Sequence, residues 1–278
     1  MKYAIAILAV SAGPALAECP APETIYAAAE GWLAGERLPD PGVENMEDAA
    51  CAYTHWRERL EDEYGRPVGV KVGFTSAPAQ ERFGVDGPVA GALFRPMLLE
   101  NGAEISLNGS RTPFFEADLV VTVADPEALA AATTREEAAA ALGAVQAFIE
   151  LPDMALAEGV QPNGAIMASY GVIPWRGVLG ESLPLAELAD PVDELGALTA
   201  TLSANGEEMD RASGEALLGH PLDVVLWLAG QGNYDLSEGS VISLGSLGAL
   251  HPAEPGLEIR ADYQIGDKAL SVTAVTVE

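Results

Sequence analysis

Basic residues are scarce in this sequence. Its 278 residues include 14 Lys and Arg against 42 Asp and Glu, which gives a formal net charge of −28 at pH 7. A nucleic-acid partner requires a basic face that neutralises phosphates, so we expect no nucleic acid to bind. The acidic residues are spread along the chain, which is typical of a well-solvated surface. An anionic substrate would therefore need local compensation, which a bound divalent metal would supply.

Long apolar runs are also lacking. After the N-terminus, no run of about 18 apolar residues is present that could cross a bilayer. The N-terminus itself has a short basic start, an apolar stretch and the small-x-small signal Ala15-Leu16-Ala17. We expect residues 1–17 to be a signal peptide cleaved after Ala17, which leaves a periplasmic or secreted chain with no membrane attachment. Glu18 stands where a lipoprotein site needs a small residue, so lipidation is disfavoured.

Cysteine is nearly absent, since the chain has two, Cys19 and Cys51. In an oxidising compartment an even pair is a candidate disulfide. This disulfide would tie the N-terminal end of the mature chain to the next helix. The alternative is two unpaired thiols, with Cys51 buried on its helix. We favour the disulfide.

Helical patterns occupy the N-terminal part of the mature chain. Apolar spacing predicts helices over 22–34 and 46–64, separated by the turn sequence Pro39-Asp40-Pro41-Gly42. The pattern then changes to short apolar strands and turns, without a later domain linker or an internal repeat. We therefore predict a helical segment, residues 18–66, packed on a catalytic domain of residues 67–278.

The remainder of the chain mixes both kinds of element. A capping box that begins at Thr133 or Thr134 would open an Ala-rich helix to about Ala147. Pro221 is well placed in the first turn of another helix, and residues 257–277 have the pattern of a β-hairpin. The predicted class is α+β, with a twisted, largely antiparallel sheet system and flanking helices.

Three carboxylates carry the strongest chemical signal. Glu116 and Asp118 lie two apart in the strand-like run 114–123, so a period of two puts both on one face. Glu150 ends another short strand-like segment. Unpaired charge beside apolar runs is costly, and hard oxygen ligands suit Mg²⁺ or Mn²⁺. The alternative is that Glu116 and Asp118 face water at a sheet edge.

A further set of motifs follows in a specific order and spacing from about Asp48 to the C-terminus. They include Gly69-Val70-Lys71-Val72-Gly73-Phe74-Thr75-Ser76, Phe83-Gly84-Val85-Asp86-Gly87-Pro88, Gly91-Ala92-Leu93-Phe94, Glu116-Ala117-Asp118, Phe148-Ile149-Glu150 and Leu218-Gly219-His220-Pro221-Leu222. In this order the motifs resemble the 2-keto-4-pentenoate hydratases, a family within the fumarylacetoacetate hydrolase superfamily.

The resemblance implies a mixed β-roll core of the fumarylacetoacetate hydrolase type, with N-terminal helices. It implies that Glu116, Asp118 and Glu150 bind Mg²⁺ or Mn²⁺, that Lys71 is catalytic, and that the chain forms a homo-oligomer. Such enzymes act on small 2-oxo or 2-hydroxydienoic acids. The residues that we assign to substrate binding on this basis are Thr75, Ser76, Asn163, His220 and Ser246. For His220, a structural cap before Pro221 is the alternative.

The chemistry expected of Lys71 follows from its surroundings. A nearby metal and burial would lower the pKa of its amine, so that it could shuttle a proton to a dienol carbon or assist water addition. The alternative is a lysine that snorkels from a strand edge. The expected reaction is ketonisation of 2-hydroxypenta-2,4-dienoate followed by water attack at C4, which gives 4-hydroxy-2-oxopentanoate.

The chain departs from the family pattern at two positions. Hydratases usually carry an Asp-Asn pair where this chain has Pro162-Asn163, and a loop threonine where it has Leu244. Ser243 or Ser246 could replace the lost hydroxyl. Open alternatives are a related 2-oxo acid decarboxylase or C–C hydrolase, a non-catalytic periplasmic binder of 2-oxo acids, and a structural protein with an inactive site.

Overall fold

The computed structural model describes residues 19–278, and the predicted signal peptide, residues 1–17, lies outside the described residues. Helices in the described part are α1 (Pro22–Leu33), α2 (Met46–Tyr64), α3 (Ala77–Phe83), α4 (Pro126–Ala131), α5 (Arg135–Ala141), α6 (Gly164–Ser169), α7 (Pro191–Gly196) and α8 (Pro221–Gln231). Short 3₁₀ turns cover Arg95–Met97, Leu185–Glu187 and Gly214–Ala216. Among the described residues, no helix has both the length and the apolar character that a membrane span requires.

Strands form two sheets. They are β1 (Gly69–Gly73), β2 (Val89–Leu93), β3 (Leu98–Glu100), β4 (Ala103–Ser106), β5 (Phe114–Val123), β6 (Leu142–Leu151), β7 (Arg176–Pro184), β8 (Thr199–Ala204), β9 (Glu207–Ser213), β10 (Val241–Ser246), β11 (His251–Pro252), β12 (Glu258–Ile265) and β13 (Lys268–Val277). The larger sheet has the order β2-β1-β10-β5-β6-β7-β3, with β11 also pairing with β5. The smaller sheet has the order β4-β13-β12-β8-β9.

The sheet system is mixed, and most of its strand pairs are antiparallel. In the larger sheet β1 pairs with β10, and β3 with β7, in parallel, while β6 runs antiparallel to both β5 and β7. The two sheets meet where β13 packs on β6 and β7. The predicted α+β class with a mixed sheet system is confirmed, and so is the C-terminal hairpin formed by β12 and β13.

The Ala-rich segment is shorter as a helix than predicted. Its capping box is the one at Thr134, where the hydroxyl accepts from the Glu137 N–H and the Glu137 carboxylate reaches back to the cap. The helix α5 ends at Ala141, however, and Leu142 already belongs to strand β6. The prediction of helix to Ala147 is therefore wrong. Pairing of β6 with β5 and β7 on its two sides outweighs the local helix propensity of the alanines.

Helix α2 packs on α6, helix α1 packs on α2, and both share one core with the sheets. Trp32 of α1 packs edge-on against Trp56 of α2, and Trp56 packs against Tyr170 just after α6, with ring centroids 5.6 and 4.9 Å apart. All three rings are buried. The structure pairs Cys19 with Cys51 of α2 as a disulfide, which fastens the chain just before α1 to the second helix.

Candidate metal centre and active-site pocket

The three acidic residues singled out in the sequence meet at the centre of the larger sheet. Glu116 on β5 stands directly opposite Glu150 on β6, and Asp118 lies two residues further along β5 on the same face. One carboxylate oxygen from each lies within 4.8 Å of the others. Their exposures are 6%, 0% and 3%, so three carboxylates share one buried position.

Lys71 joins this cluster from the neighbouring strands. It is in register with Ser243 of β10, which is in register with Val120 of β5, so its side chain shares the face of Asp118. Its Nζ forms an ion pair with Glu150 and donates to the Val172 carbonyl at 3.4 Å. Lys71 is therefore buried at the site and does not snorkel from a strand edge.

Asp118 is the most firmly held of the three carboxylates. Its Oδ2 accepts from the Ser243 hydroxyl at 2.6 Å, and its Oδ1 accepts from the Gly245 N–H at 2.9 Å. Gly245 has φ +105°, and a Cβ there would lie 2.2 Å from the Thr75 hydroxyl oxygen, so a glycine is needed at this contact. The hydroxyl that holds Asp118 thus comes from Ser243, one residue before Leu244.

The electrostatics reflect an excess of buried negative charge. Burial, followed by the charge of Glu150, raises the pKa of Glu116 to about 8. The same two causes raise the pKa of Asp118 well above its usual value. Burial acts to lower the pKa of Lys71, but Glu150, Glu116 and Asp118 outweigh it and raise that pKa above its usual value. The lowered pKa predicted for Lys71 depends on a metal ion beside it and therefore stays a prediction.

A divalent cation fits this donor set. Three buried carboxylates face one buried ammonium group, so a cation would offset charge that is otherwise uncompensated. In addition, the buried Glu150 Oε2 has no hydrogen-bond partner. Carboxylate oxygens are donors that Mg²⁺ and Mn²⁺ prefer. Glu116, Asp118 and Glu150 could therefore hold such an ion.

A cavity of about 100 Å³ opens beside the cluster. Lys71 and Glu116 lie at its base, and its polar wall includes Thr75, Ser76 and Ser246. Most of the remaining wall is apolar and is formed by Phe74, Ala79, Phe83, Pro152, Met154, Met167, Val172 and Leu250. Lys71 is the cationic side chain among the described residues that line this cavity. The pocket thus suits a small molecule with one anionic end and an apolar tail.

Two wall residues have a strained backbone. Phe74 has φ +57° and Val172 has φ +62°, in the left-handed region that bulky and β-branched residues avoid. The carbonyl of Val172 accepts from Lys71, and the carbonyl of Phe74 accepts from the Gln80 amide at 2.9 Å. The two strained residues therefore place carbonyls that hold the Lys71 amine and the Gln80 side chain of helix α3.

The structure brings three of the five predicted substrate-binding residues to the pocket. Thr75 is buried in its wall, Ser76 also caps α3, and Ser246 stands near Glu116. Asn163 and His220 lie outside the pocket lining. Asn163 is the exposed N-cap of α6, where its Oδ1 accepts from the Ile166 N–H at 3.0 Å.

His220 is likewise committed to structure. It is buried at the N-cap of α8, and its Nδ1 accepts from the Leu222 N–H at 3.0 Å. Its Nε2 lies 2.9 Å from the Val192 carbonyl, so both ring nitrogens are occupied. The Pro221 that follows is the local signal that identifies this cap.

Tyr263 is a residue of the site that sequence reasoning missed. It belongs to β12 of the smaller sheet, and its buried hydroxyl lies 2.6 Å from the Asp118 carbonyl and 2.8 Å from the Phe148 carbonyl. One hydroxyl thus ties the two strands that carry the carboxylates to the second sheet. No local signal in 257–277 marks this contact, because the strands meet only in the fold.

Comparison with known proteins gives a consistent group of relatives. The chain matches no family model. It is 31% identical over 220 residues to 2-hydroxyhexa-2,4-dienoate hydratase of Comamonas testosteroni, covering 76% of this chain and 80% of that protein. It is 31% identical over 199 residues to 2-keto-4-pentenoate hydratase of Burkholderia vietnamiensis, covering 66% and 70%.

A solved structure has a similar fold. It is 4-oxalocrotonate decarboxylase from Pseudomonas putida G7, complexed with magnesium and adipate. The TM-score is 0.78 with 24% sequence identity, and the match covers 92% of this chain and 98% of that one.

Proposed function

The chain belongs to the 2-keto-4-pentenoate hydratase family of the fumarylacetoacetate hydrolase superfamily, and on that premise we propose that it is a metal-dependent hydratase. The substrate that we propose is a short 2-hydroxydienoate such as 2-hydroxypenta-2,4-dienoate, and the product is a 4-hydroxy-2-oxo acid. The observation that carries the proposal is the cluster of three buried carboxylates with Lys71 at the base of an apolar pocket.

Glu116, Asp118 and Glu150 would hold the ion. A bound Mg²⁺ or Mn²⁺ would supply positive charge to stabilise the negative charge that develops on the 2-oxygen when the dienol loses its proton. Ser243 and the Gly245 N–H fix the Asp118 carboxylate in place for this role. Such fixed outer contacts orient metal ligands and tune their basicity.

Lys71 is the group placed to move a proton. Its Nζ borders the pocket and contacts Glu150, so it can deliver a proton to C5 of the dienol and be replenished through the carboxylate. The resulting conjugated 2-oxo acid then accepts water at C4 and a proton at C3, which balances as the addition of one water. The hydroxyls of Thr75 and Ser246 line the same pocket and would orient the substrate's polar end.

The pocket chemistry favours a monocarboxylate over a dicarboxylate, and therefore favours hydratase over 4-oxalocrotonate decarboxylase. A second carboxylate on the tail would lie among apolar side chains such as Met154, Met167 and Leu250. No cation other than Lys71 is present among the described lining residues to pair with it. An unpaired buried carboxylate is strongly disfavoured, whereas a vinyl or methyl tail is not.

A product assay tests this proposal. The chain without residues 1–17 is mixed with 2-hydroxypenta-2,4-dienoate and Mn²⁺, and NMR follows the appearance of 4-hydroxy-2-oxopentanoate. We expect turnover that stops when EDTA is added and that is lost in Lys71→Met. The matched control is Lys268→Met, which removes a lysine at the start of β13, outside the pocket lining. Absence of hydration, or preferential CO₂ release from 2-oxohex-3-enedioate, would overturn it.

We also propose that the enzyme acts in the periplasm or outside the cell. The pairing of Cys19 with Cys51 supports an oxidising compartment, because disulfides persist there and are rare in the cytosol. Cell fractionation with an antibody to the chain would test the location, and a cytosolic pool with free thiols would contradict it. The homo-oligomer implied by the resemblance stays a prediction.

A further inference from the structure

A second and larger cavity, of about 530 Å³, lies away from the carboxylate cluster. Three aromatic side chains and two arginines contribute to its wall: Trp32, Tyr64, Trp175, Arg111 and Arg176. Its volume is within the range of small-molecule sites in proteins. Its acidic lining residue is Glu104, whose side chain is exposed. In a chain with net charge −28, a cavity lined by two guanidinium groups is an unusual local environment.

Arg176 is the cation in this cavity that has N–H donors available for a ligand. It is half-buried, and its recorded hydrogen bond goes to the Trp175 carbonyl at 3.0 Å. No carboxylate of the described residues lies within ion-pair distance of it. Burial lowers the pKa of its guanidinium. Arg176 is therefore a partly desolvated cation without a counter-ion, and most of its five N–H donors are free.

The surroundings hold this guanidinium in position. Its Cζ lies 5.3 Å from the centre of the Trp175 ring, a contact that uses the ring face and leaves N–H donors for a ligand. Burial raises the pKa of the Tyr64 hydroxyl, and the charges of Arg176 and Arg111 oppose that rise, which indicates that both cations act on the same hydroxyl. Tyr64 thus adds a hydrogen-bonding group beside the two arginines.

Arg111 is a fixed part of the wall. It pairs with the fully buried Asp153 at 3.2 Å, and it donates to the carbonyls of Glu36 and Trp32. Its Cζ lies 5.5 Å from the centre of the Trp32 ring. Its charge is already offset by Asp153, so the uncompensated charge of the cavity is that of Arg176.

The cavity and the carboxylate cluster lie on opposite faces of the larger sheet. Arg176 on β7 is in register with Leu151 on β6, which is the residue after Glu150. Successive residues of a strand point to opposite faces, so Arg176 shares the face of Leu151 and not that of Glu150. A ligand in this cavity would therefore not occupy the hydratase pocket.

We propose that this cavity is a second binding site, which takes a planar carboxylate, namely an aromatic or a conjugated dienoic acid. Arg176 is the carboxylate anchor, because a guanidinium matches a carboxylate with two parallel N–H bonds. Tyr64 adds a hydroxyl and a flat ring, and together with Leu33 and Leu99 it supplies partly exposed apolar surface for the body of the ligand.

Calorimetric titration of the EDTA-treated chain with benzoate tests the proposal, and sorbate serves as the dienoic probe. We expect saturable binding of at least one of the two acids. The acid that binds more tightly shows whether the site prefers an aromatic or a dienoic ligand. Arg176→Gln should weaken the affinity by about tenfold or more, as expected for loss of a charge-assisted hydrogen bond. Benzamide, which has the ring without the charge, should not bind.

Three further variants make the result specific. Arg66→Gln is the matched control, since Arg66 is exposed, lies outside the cavity and has no ion pair among the described residues. Glu150→Gln should also bind benzoate as wild type does. If Arg176→Gln does not fold, Arg176→Lys is used instead. This variant keeps the positive charge but loses the two parallel N–H donors of the guanidinium, so it should still weaken binding. The proposal is overturned if neither acid binds, if the Arg176 variants bind like wild type, or if Glu150→Gln abolishes binding.

Discussion

Glu116 and Glu150 stand directly opposite each other on adjacent antiparallel strands, with their carboxylates buried. Like charges at such a position destabilise a sheet unless something offsets them. The ammonium group of Lys71 offsets one of these negative charges, and the Asp118 carboxylate adds a third negative charge. This pairing is the physical reason to expect a divalent cation here.

Replacing Lys71 should separate catalysis from metal binding. We expect Lys71→Met to lower kcat/KM by about 10²- to 10⁴-fold, the usual contribution of a positioned proton-transfer group. Its Mn²⁺ affinity should not fall, because a competing positive charge is removed from beside Glu150. Steady-state kinetics and calorimetry on the same preparation measure both quantities. A variant with near-normal kcat/KM would exclude Lys71 as the proton-transfer group.

Metal affinity should depend on pH in a defined direction. The pKa of Glu116 in the metal-free protein is raised to about 8, so below that pH a proton competes with the metal for this carboxylate. We expect the Mn²⁺ affinity to rise by one to two orders of magnitude, roughly, between about pH 6 and about pH 8.

The stability of the metal-free protein should change in the opposite direction. The folded state holds a proton on Glu116 that the unfolded chain releases near its usual pKa of 4.5, so the free energy of unfolding falls as the pH rises from there to about 8. Thermal melts with EDTA at several pH values measure this trend. For the metal-binding prediction, a Mn²⁺ affinity that does not change between about pH 6 and about pH 8 would contradict the assignment of Glu116 as a ligand.

Tyr263 should matter for stability although it does not line the pocket. Tyr263→Phe leaves the buried carbonyls of Asp118 and Phe148 without its hydroxyl, which should lower the free energy of unfolding by about 1–3 kcal/mol. Urea unfolding measures the loss. The matched control is Tyr26→Phe, because the Tyr26 hydroxyl bonds an exposed Glu58. Equal effects of the two substitutions would show that the contact between the sheets is not special.

The disulfide should stabilise the N-terminal helices. Its 32-residue separation predicts a contribution of about 3–4 kcal/mol from loop closure in the unfolded chain. Reductant should therefore lower the melting temperature of the wild type, whereas Cys19→Ser should melt lower from the outset and not respond. A thiol label that reacts fully with the folded wild type in the absence of reductant would show that the bond is not formed.

The sequence was sufficient to predict the parts of the site that depend on local pattern. Glu116 and Asp118 share a face because their strand has a period of two, and the hairpin and the capping box at Thr134 follow from turn and cap chemistry. The end of α5 at Ala141 was not predictable in this way. The alanines favour helix, and only the partners on both sides of β6 convert the next residues to strand.

Contacts between distant segments were likewise beyond local reasoning. Asp153 is fully buried because Arg111, 42 residues before it, supplies both a guanidinium and a main-chain donor. The tie from Tyr263 to Asp118 spans 145 residues. The family resemblance suggested a substrate-binding role for Asn163 and His220. In the structure each is the N-cap of a helix, and that position accounts for its residue type.

Calorimetric titration of the signal-free chain with Mn²⁺, with and without oxalate as an enolate mimic, tests the central claim most directly. Wild type should bind at about micromolar or better, oxalate should tighten the binding, and Glu150→Gln should lose both effects. Glu100→Gln, at the exposed end of β3, should behave like wild type. Absence of specific Mn²⁺ binding by wild type, or unchanged binding by Glu150→Gln, would contradict a metal centre formed by the three carboxylates.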